Sequence, residues 1–144
     1  MLDALTLAKY IVTKCTTDHC PISNLQLQKI LYYVQVYSLK NTGEPVFSDE
    51  IEAWKFGPVV RNVYNHYCGF GSLPIKIKYD LSLMIDIPRD LQNNIDHIVK
   101  EKREKKPWDL VEDTHAEGKP WSRIFRNGQG NKTVIPKEII RIYG

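Results

Sequence analysis

The sequence predicts an α+β domain, predominantly α: five or six helices around a buried central helix at about 22–41, with a short two-stranded β ribbon. Three observations carry this. A helix-start signal at Ser23 leads into a stretch that is apolar on two faces. Two short segments, Glu50 to Phe56 and Ile75 to Tyr79, alternate apolar and polar residues. Elsewhere Pro and Gly cut the chain into helix-sized pieces.

The first helix is expected from Asp3 to Thr16, with Leu5, Ala8, Val12 and Cys15 at helical spacing. Pro21 disfavours helix at Cys20 and marks a turn. Ser23 and Gln26 then form a capping box, the serine taking an orphan amide and the glutamine reaching back to the cap. Beyond it Leu25, Tyr32, Val36 and Leu39 line one face, and Leu27, Ile30, Val34 and Tyr37 the other. A helix apolar on both sides belongs between neighbours, at the centre of the fold. Gly43 suits the left-handed residue that closes it.

The strand expected at Glu50 to Phe56 ends at Gly57-Pro58, with Pro58 opening a third helix whose stripe is Val60, Val63, Tyr64 and Tyr67. Ile75 to Tyr79 is expected to pair with that strand. A fourth helix follows Pro88, with Leu91, Ile95, Ile98 and Val99 inward and the charged run Lys100 to Lys106 as its tail. A fifth runs around Trp108 to Glu117, Pro120 to Phe125 makes further turns, Val134-Ile135 is extended, and a terminal helix carries Ile139, Ile140 and Tyr143.

At 144 residues, one domain spanning 1–144 is expected. Hydrophobic content of 42% and charged content of 26% are those of a globular protein rather than a disordered one. A net charge of +3 falls short of a nucleic-acid signature. Asp3, Lys9 and Lys14 break the apolar run a secretory leader needs, and no segment has the length of a membrane span. Cys15, Cys20 and Cys68 form an odd set without a C-x-x-C pair, pointing to free thiols and a cytoplasmic location.

Candidate chemistry is sparse. His115 lies beside Asp113 and Glu117, and a histidine with Glu117 or Glu52 could do acid–base work. A helix-end histidine bonded to backbone is the simpler reading, since no nucleophile or metal set accompanies it. His19, Cys20 and Cys15 lack the paired spacing of a zinc site. Lys100 to Lys106 could touch phosphates but reads better as a solvated helix end whose cations offset the helix dipole. No phosphate-binding glycine loop is present. Trp54, Phe56, Trp108 and Trp121 are the large aromatics outside the central helix; each could anchor an interface, with core the safer assignment.

Taken together, these segments resemble one family. Leu27-Gln28-Lys29-Ile30-Leu31-Tyr32-Tyr33-Val34-Gln35 resembles the L-Q-K-L-L-Y-Y-A-Q core of the Panacea domain, the SocA-like antitoxin domain also known as phage-associated GepA-like protein, with Val34 where alanine is usual. Ile51 to Val60 is similar to its I-E-A-W-x-x-G-P-V block, and Tyr64 comes at the family's distance beyond it. Thr114-His115 with Pro120-Trp121 matches the later T-H…W block, and Ile135 to Glu138 the closing I-x-x-E.

The resemblance implies an antitoxin of a type II-like toxin–antitoxin module, borne by prophages or mobile elements, that neutralises a protein toxin encoded by an adjacent gene through direct binding. It also admits an adaptor that delivers the toxin to a Clp-type protease. It implies no cofactor, metal or catalytic set. A small enzyme using His115 and Glu117 is the remaining alternative. Leu27, Gln28, Lys29, Leu31, Tyr32, Tyr33, Glu52, Trp54, Gly57, Pro58, Tyr64, Thr114, His115 and Trp121 then read mostly as scaffold. Partner contact is assigned to charged residues outside these blocks: Lys76, Lys78, Lys102, Arg103 and Arg126.

Overall fold

A computed structural model describes residues 2–83 and 87–144, so the end of the Cys68 to Asp86 loop lies outside the described residues. Among them are seven α-helices and one small sheet. The helices are α1 Ala4–Thr17, α2 Asn24–Thr42, α3 Arg61–Tyr67, α4 Arg89–Arg103, α5 Pro107–Thr114, α6 Pro120–Phe125 and α7 Lys137–Tyr143. The strands are β1 Glu52–Trp54, β2 Gly57–Val59 and β3 Thr133–Val134, in antiparallel order β2-β1-β3. The predominantly α, α+β class is the one the sequence predicts.

Local chemistry explains the helix ends. Asp3 caps α1, its carboxylate accepting from the Thr6 N–H at 2.7 Å. Ser23 and Gln26 form the expected box: the Gln26 N–H donates to Ser23 Oγ at 3.2 Å, and the Ser23 N–H donates to Gln26 Oε1 at 3.0 Å. Gly43, at φ +76°, ends α2 by donating its N–H to the Leu39 carbonyl. Pro107 and Pro120 start α5 and α6, where a missing N–H breaks no helical bond. α5 stops at Thr114, short of the expected Glu117, with His115 as its closing residue.

α2 lies at the centre, against α1, α3, α4, α5, α7 and β2. Leu27, Ile30, Leu31, Tyr32, Val34 and Leu39 are buried around it, which is why its apolar residues occupy two faces. Ile95 and Val99 of α4 are buried, with Leu91 and Ile98 half-buried beside them. No described helix is long and apolar enough to cross a membrane.

Two expectations about the ribbon are corrected. The second strand is not Ile75 to Tyr79; β1 pairs with β2 on one side and β3 on the other. The Ile75 N–H donates to the Ile22 carbonyl at 2.8 Å, and the Tyr79 N–H donates to Thr13 Oγ1 at 3.0 Å. The alternation there reflects docking on α1 and the α1–α2 turn, with Ile75 buried and Lys76 and Lys78 outward. Pro58 also does not open a helix. It lies in β2, an edge strand, where a residue without an N–H is tolerated, and α3 begins three residues later at Arg61.

Segment 44–60 is mostly irregular, so its backbone polar groups need partners. Side chains of α2 supply several. Gln35 accepts from the Val46 N–H and donates to the Phe47 carbonyl, both at 2.9 Å. Ser38 donates to the Glu44 carbonyl at 2.7 Å. Gln28, two turns before Gln35, accepts from the Val60 N–H at 2.9 Å and donates to Asn24 Oδ1 at 3.0 Å. Gln28 and Gln35 are buried, so each works without competing water. Gln35→Met keeps the volume but leaves two backbone groups unpaired. It is expected to lower unfolding free energy by about 2–4 kcal/mol, read from urea midpoints.

Candidate functional site

Two polar residues of the sequence blocks, Lys29 and Thr114, meet beneath the β1–β2 hairpin. Lys29 is fully buried, and its ammonium donates to the Pro58 carbonyl at 3.0 Å. The hairpin can come this close because Gly57 has no side chain. A Cβ there would lie 2.7 Å from Lys29 Cε and 2.9 Å from Thr114 Oγ1, and Gly57 is at φ +110°. Thr114, also buried, donates to the Val111 carbonyl at 2.8 Å. Burial pulls the Lys29 pKa down to about 7, because the charged form has lost its water and gained a single neutral acceptor.

The C-terminal block locks onto the same hairpin through stacked rings. His115 lies flat on Trp121, with centroids 3.5 Å apart and planes 2° from parallel, and Trp121 stacks on Phe125 at 4.5 Å. The Trp121 indole N–H donates to the Trp54 carbonyl at 2.7 Å, tying α6 to β1. His115 Nε2 is buried without a hydrogen-bond partner. Burial, then the nearby Lys29 charge, holds its pKa below the usual histidine value. Glu117 is exposed, and Glu52 turns elsewhere. The Glu52 carboxylate takes the Trp54 indole N–H at 2.9 Å and two bonds from Arg61 at 2.8 and 3.1 Å. Burial opposes its ionisation, but Arg61 and Trp54 outweigh that and hold its pKa low. A His115–carboxylate pair is therefore not assembled at Nε2.

Above this buried joint opens a cleft of about 560 Å³. Its walls include Trp54, Phe56, Tyr64 and Trp108, with Gln28 and Lys29 among the deeper lining residues. Trp54 meets Tyr64 edge-on at 4.9 Å, and Phe56 meets Trp108 edge-on at 5.2 Å. Phe56, Tyr64 and Trp108 are 46%, 36% and 60% exposed, against the expectation that such rings belong to the core. Three lysines line the cleft, Lys29, Lys55 and Lys132, and among the described residues no carboxylate does.

Leu27, Leu31 and Tyr32 are buried core, and Tyr33 is half-buried. Of the residues assigned to partner contact, Lys76, Lys78 and Arg126 are exposed. Lys102 and Arg103 are not open surface: Lys102 covers the Tyr33 ring at 4.0 Å, and Arg103 pairs with Asp18 at 2.9 Å. The aliphatic stems of such side chains pack on the body even where the sequence reads as a charged tail. None of the five lines the cleft. Sequence reasoning missed Lys55 and Lys132 there. For Trp108 a signal existed: it comes directly after the helix-opening Pro107 in a run of charged residues, where a solvent-facing helix start is expected.

The family model for the SocA-like antitoxin, Panacea domain, matches residues 27–122, which contain the buried joint and most of the cleft. The chain belongs to the SocA-like Panacea family. It is also similar to antitoxin SocA of Caulobacter vibrioides (strain NA1000 / CB15N), at 34% identity over 138 residues, covering 90% of this chain and 73% of that protein. That similarity supports an antitoxin role. No solved structure matches the chain. The Panacea blocks of this chain thus coincide with the hairpin, the lysine beneath it and the ring stack behind it.

Two variants test the joint. Unfolded Lys29 keeps its proton to about pH 10.4, whereas the native residue loses it near pH 7. Between these values the unfolded state binds more protons, so Lys29 makes stability rise with pH. Relative to Lys29→Met, the wild type should gain about 2 kcal/mol between pH 7 and 9, measured by paired urea titrations. Equal curves would place the native pKa above that window. Gly57→Ala should cost about 3 kcal/mol, from positive-φ strain plus displacement of buried Lys29, and lower the thermal midpoint accordingly.

Proposed function

We propose that this chain is the cytoplasmic antitoxin of a two-gene, type II-like module carried by a prophage or mobile element, and that it silences a protein toxin encoded beside it by binding that toxin directly. The observation that carries the binding reading is the group of exposed rings, Phe56, Tyr64 and Trp108, at a concave face that the Panacea blocks build. Rings a third or more exposed around a cleft add less to a core than buried ones, while aromatic side chains at concave surfaces are what protein partners use as anchors. The similarity to an antitoxin supplies the kind of partner.

Binding rather than catalysis is the proposed activity. His115 Nε2 has no hydrogen-bonding carboxylate, and its ring is stacked flat on Trp121. The buried joint instead supports the scaffold role that the sequence blocks suggest. Delivery of the toxin to a Clp-type protease would use the same first contact but end in loss of the toxin, so toxin half-life separates the two.

The test is co-expression with the product of the neighbouring gene. That product should arrest growth alone, be harmless with this chain, and co-purify with it at unchanged half-life. Rescue without a complex, or with a shortened toxin lifetime, would overturn direct neutralisation. His115→Gln should leave rescue intact in proportion to the folded fraction, measured by circular dichroism on the same samples.

A further inference from the structure

The cleft's chemistry narrows what enters it, and this inference rests on the protein-binding reading above. We propose that the cleft takes an acidic segment of the partner protein: an apolar side chain seats among Trp54, Phe56, Tyr64 and Trp108, and flanking carboxylates meet Lys55 and Lys132.

Charge is the first argument. The charged groups lining the cleft are all lysines. Near this face Arg61 forms an ion pair with Glu52 and Lys105 with Asp113; the Glu52 charge also reaches Lys132, but among the described residues neither Lys55 nor Lys132 forms an ion pair. Lys55 and Lys132 instead lie over rings, Lys55 above Phe56 at 5.4 Å and Lys132 above Trp54 at 5.0 Å. Cation–π contact of this kind holds the ammonium near the cleft mouth but leaves its N–H donors for an incoming anion. An acidic segment gains there, while a basic one meets like charge.

Shape is the second. About 560 Å³ has room for a few side chains, not for a whole helix face. The walls are apolar rings and the mouth is basic, so an apolar anchor with acidic neighbours satisfies both.

Single-stranded nucleic acid is the rival, because it too seeks aromatics and lysines. Stacking needs open ring faces. Here Arg61 and Lys132 lie over Trp54, Lys55 lies over Phe56, and the ring pairs meet edge-on. Edge-on, cation-capped rings suit an aliphatic or aromatic side chain better than a base.

The experiment has two arms, both on the full chain. In the first, intrinsic tryptophan fluorescence tracks titration with a short peptide in which aspartates and glutamates flank one phenylalanine, with a lysine-flanked counterpart and an oligouridylate as comparisons. The acidic peptide should bind, more weakly as salt rises. The double variant Lys55→Glu with Lys132→Glu should weaken it at least roughly tenfold, and Trp108→Ala should do likewise. All three positions are exposed, and unchanged thermal midpoints would show that the fold is kept. In the second arm the same variants are tested against the neighbouring gene product.

Binding of the lysine-flanked peptide or the oligouridylate in preference to the acidic one would overturn the proposal. So would a toxin complex indifferent to both variants, an outcome that leaves direct neutralisation standing. A wild type that takes the acidic peptide in the cleft but ignores the neighbouring product would support the ligand class and sink the antitoxin reading. Failure to bind either would remove both.

Discussion

A lysine ammonium with one carbonyl for company, wholly removed from water, is an expensive arrangement, and much of this molecule is organised around it. Lys29 projects from the central helix into the turn of the β1–β2 hairpin and donates to Pro58. Several features of the chain come from giving that side chain space. Residue 57 has to be glycine, because any Cβ would meet Lys29 and Thr114. β2 has to lie at the sheet edge, because Pro58 brings its carbonyl but no N–H. α5 has to end beside the hairpin, because Thr114 closes the other side of the lysine. With a pKa near 7, the group is on the verge of neutrality, which makes its burial tolerable.

Lys29 is one member of a broader pattern. Gln28, Gln35 and Ser38 extend from the same helix and bond to backbone groups between residues 44 and 60. An irregular stretch so close to the core would otherwise leave its amides and carbonyls unpaired. The helix thus does two jobs with one surface: its apolar residues fill the core, and its polar residues replace the missing ladder of a regular sheet. The result is a hairpin rigid enough to hold Trp54 and Phe56 outward without being part of a large sheet.

Much of this was legible in the sequence. The capping box, the two-faced apolar pattern and Gly43 located α2, since each depends on neighbours within a few residues. The blocks around Lys29, Gly57, Thr114 and Trp121, expected to be mostly scaffold, lie in the joint beneath the hairpin. What the sequence misread depends on contacts between distant residues. Ile75 to Tyr79 alternates like a strand, yet its partners are Ile22 and Thr13, not another strand. Gly57-Pro58 looks like a helix start; that it forms an edge strand is decided by Lys29, 29 residues away. Tyr64 sits at a buried-stripe spacing, but α3 is short and its outer turn faces the cleft, where Tyr64 packs on Trp54. Lys55 and Lys132 gave no local sign, because only the pairing of β1 with β3 brings them to one mouth.

The joint and the cleft are adjacent but physically separable, and that division bears on the proposed partner contact. The joint consists of buried groups whose replacement leaves orphaned polar atoms or displaced side chains, so its residues constrain one another. The cleft's outer wall comes from positions with few such obligations: Lys55 and Phe56 in a hairpin turn, Trp108 in the first turn of α5, Lys132 in the loop before β3. Their side chains leave the body rather than enter it. Exchanging them would alter charge and shape at the mouth while Lys29, Gly57 and the His115–Trp121 stack stayed in place. Substitutions at exposed positions of this kind change stability little, whereas a change of sign at a desolvated contact can decide whether a partner is accepted. If the cleft receives a partner as proposed, a tightly constrained interior beneath a loosely constrained rim lets the fold persist while the contact specificity changes.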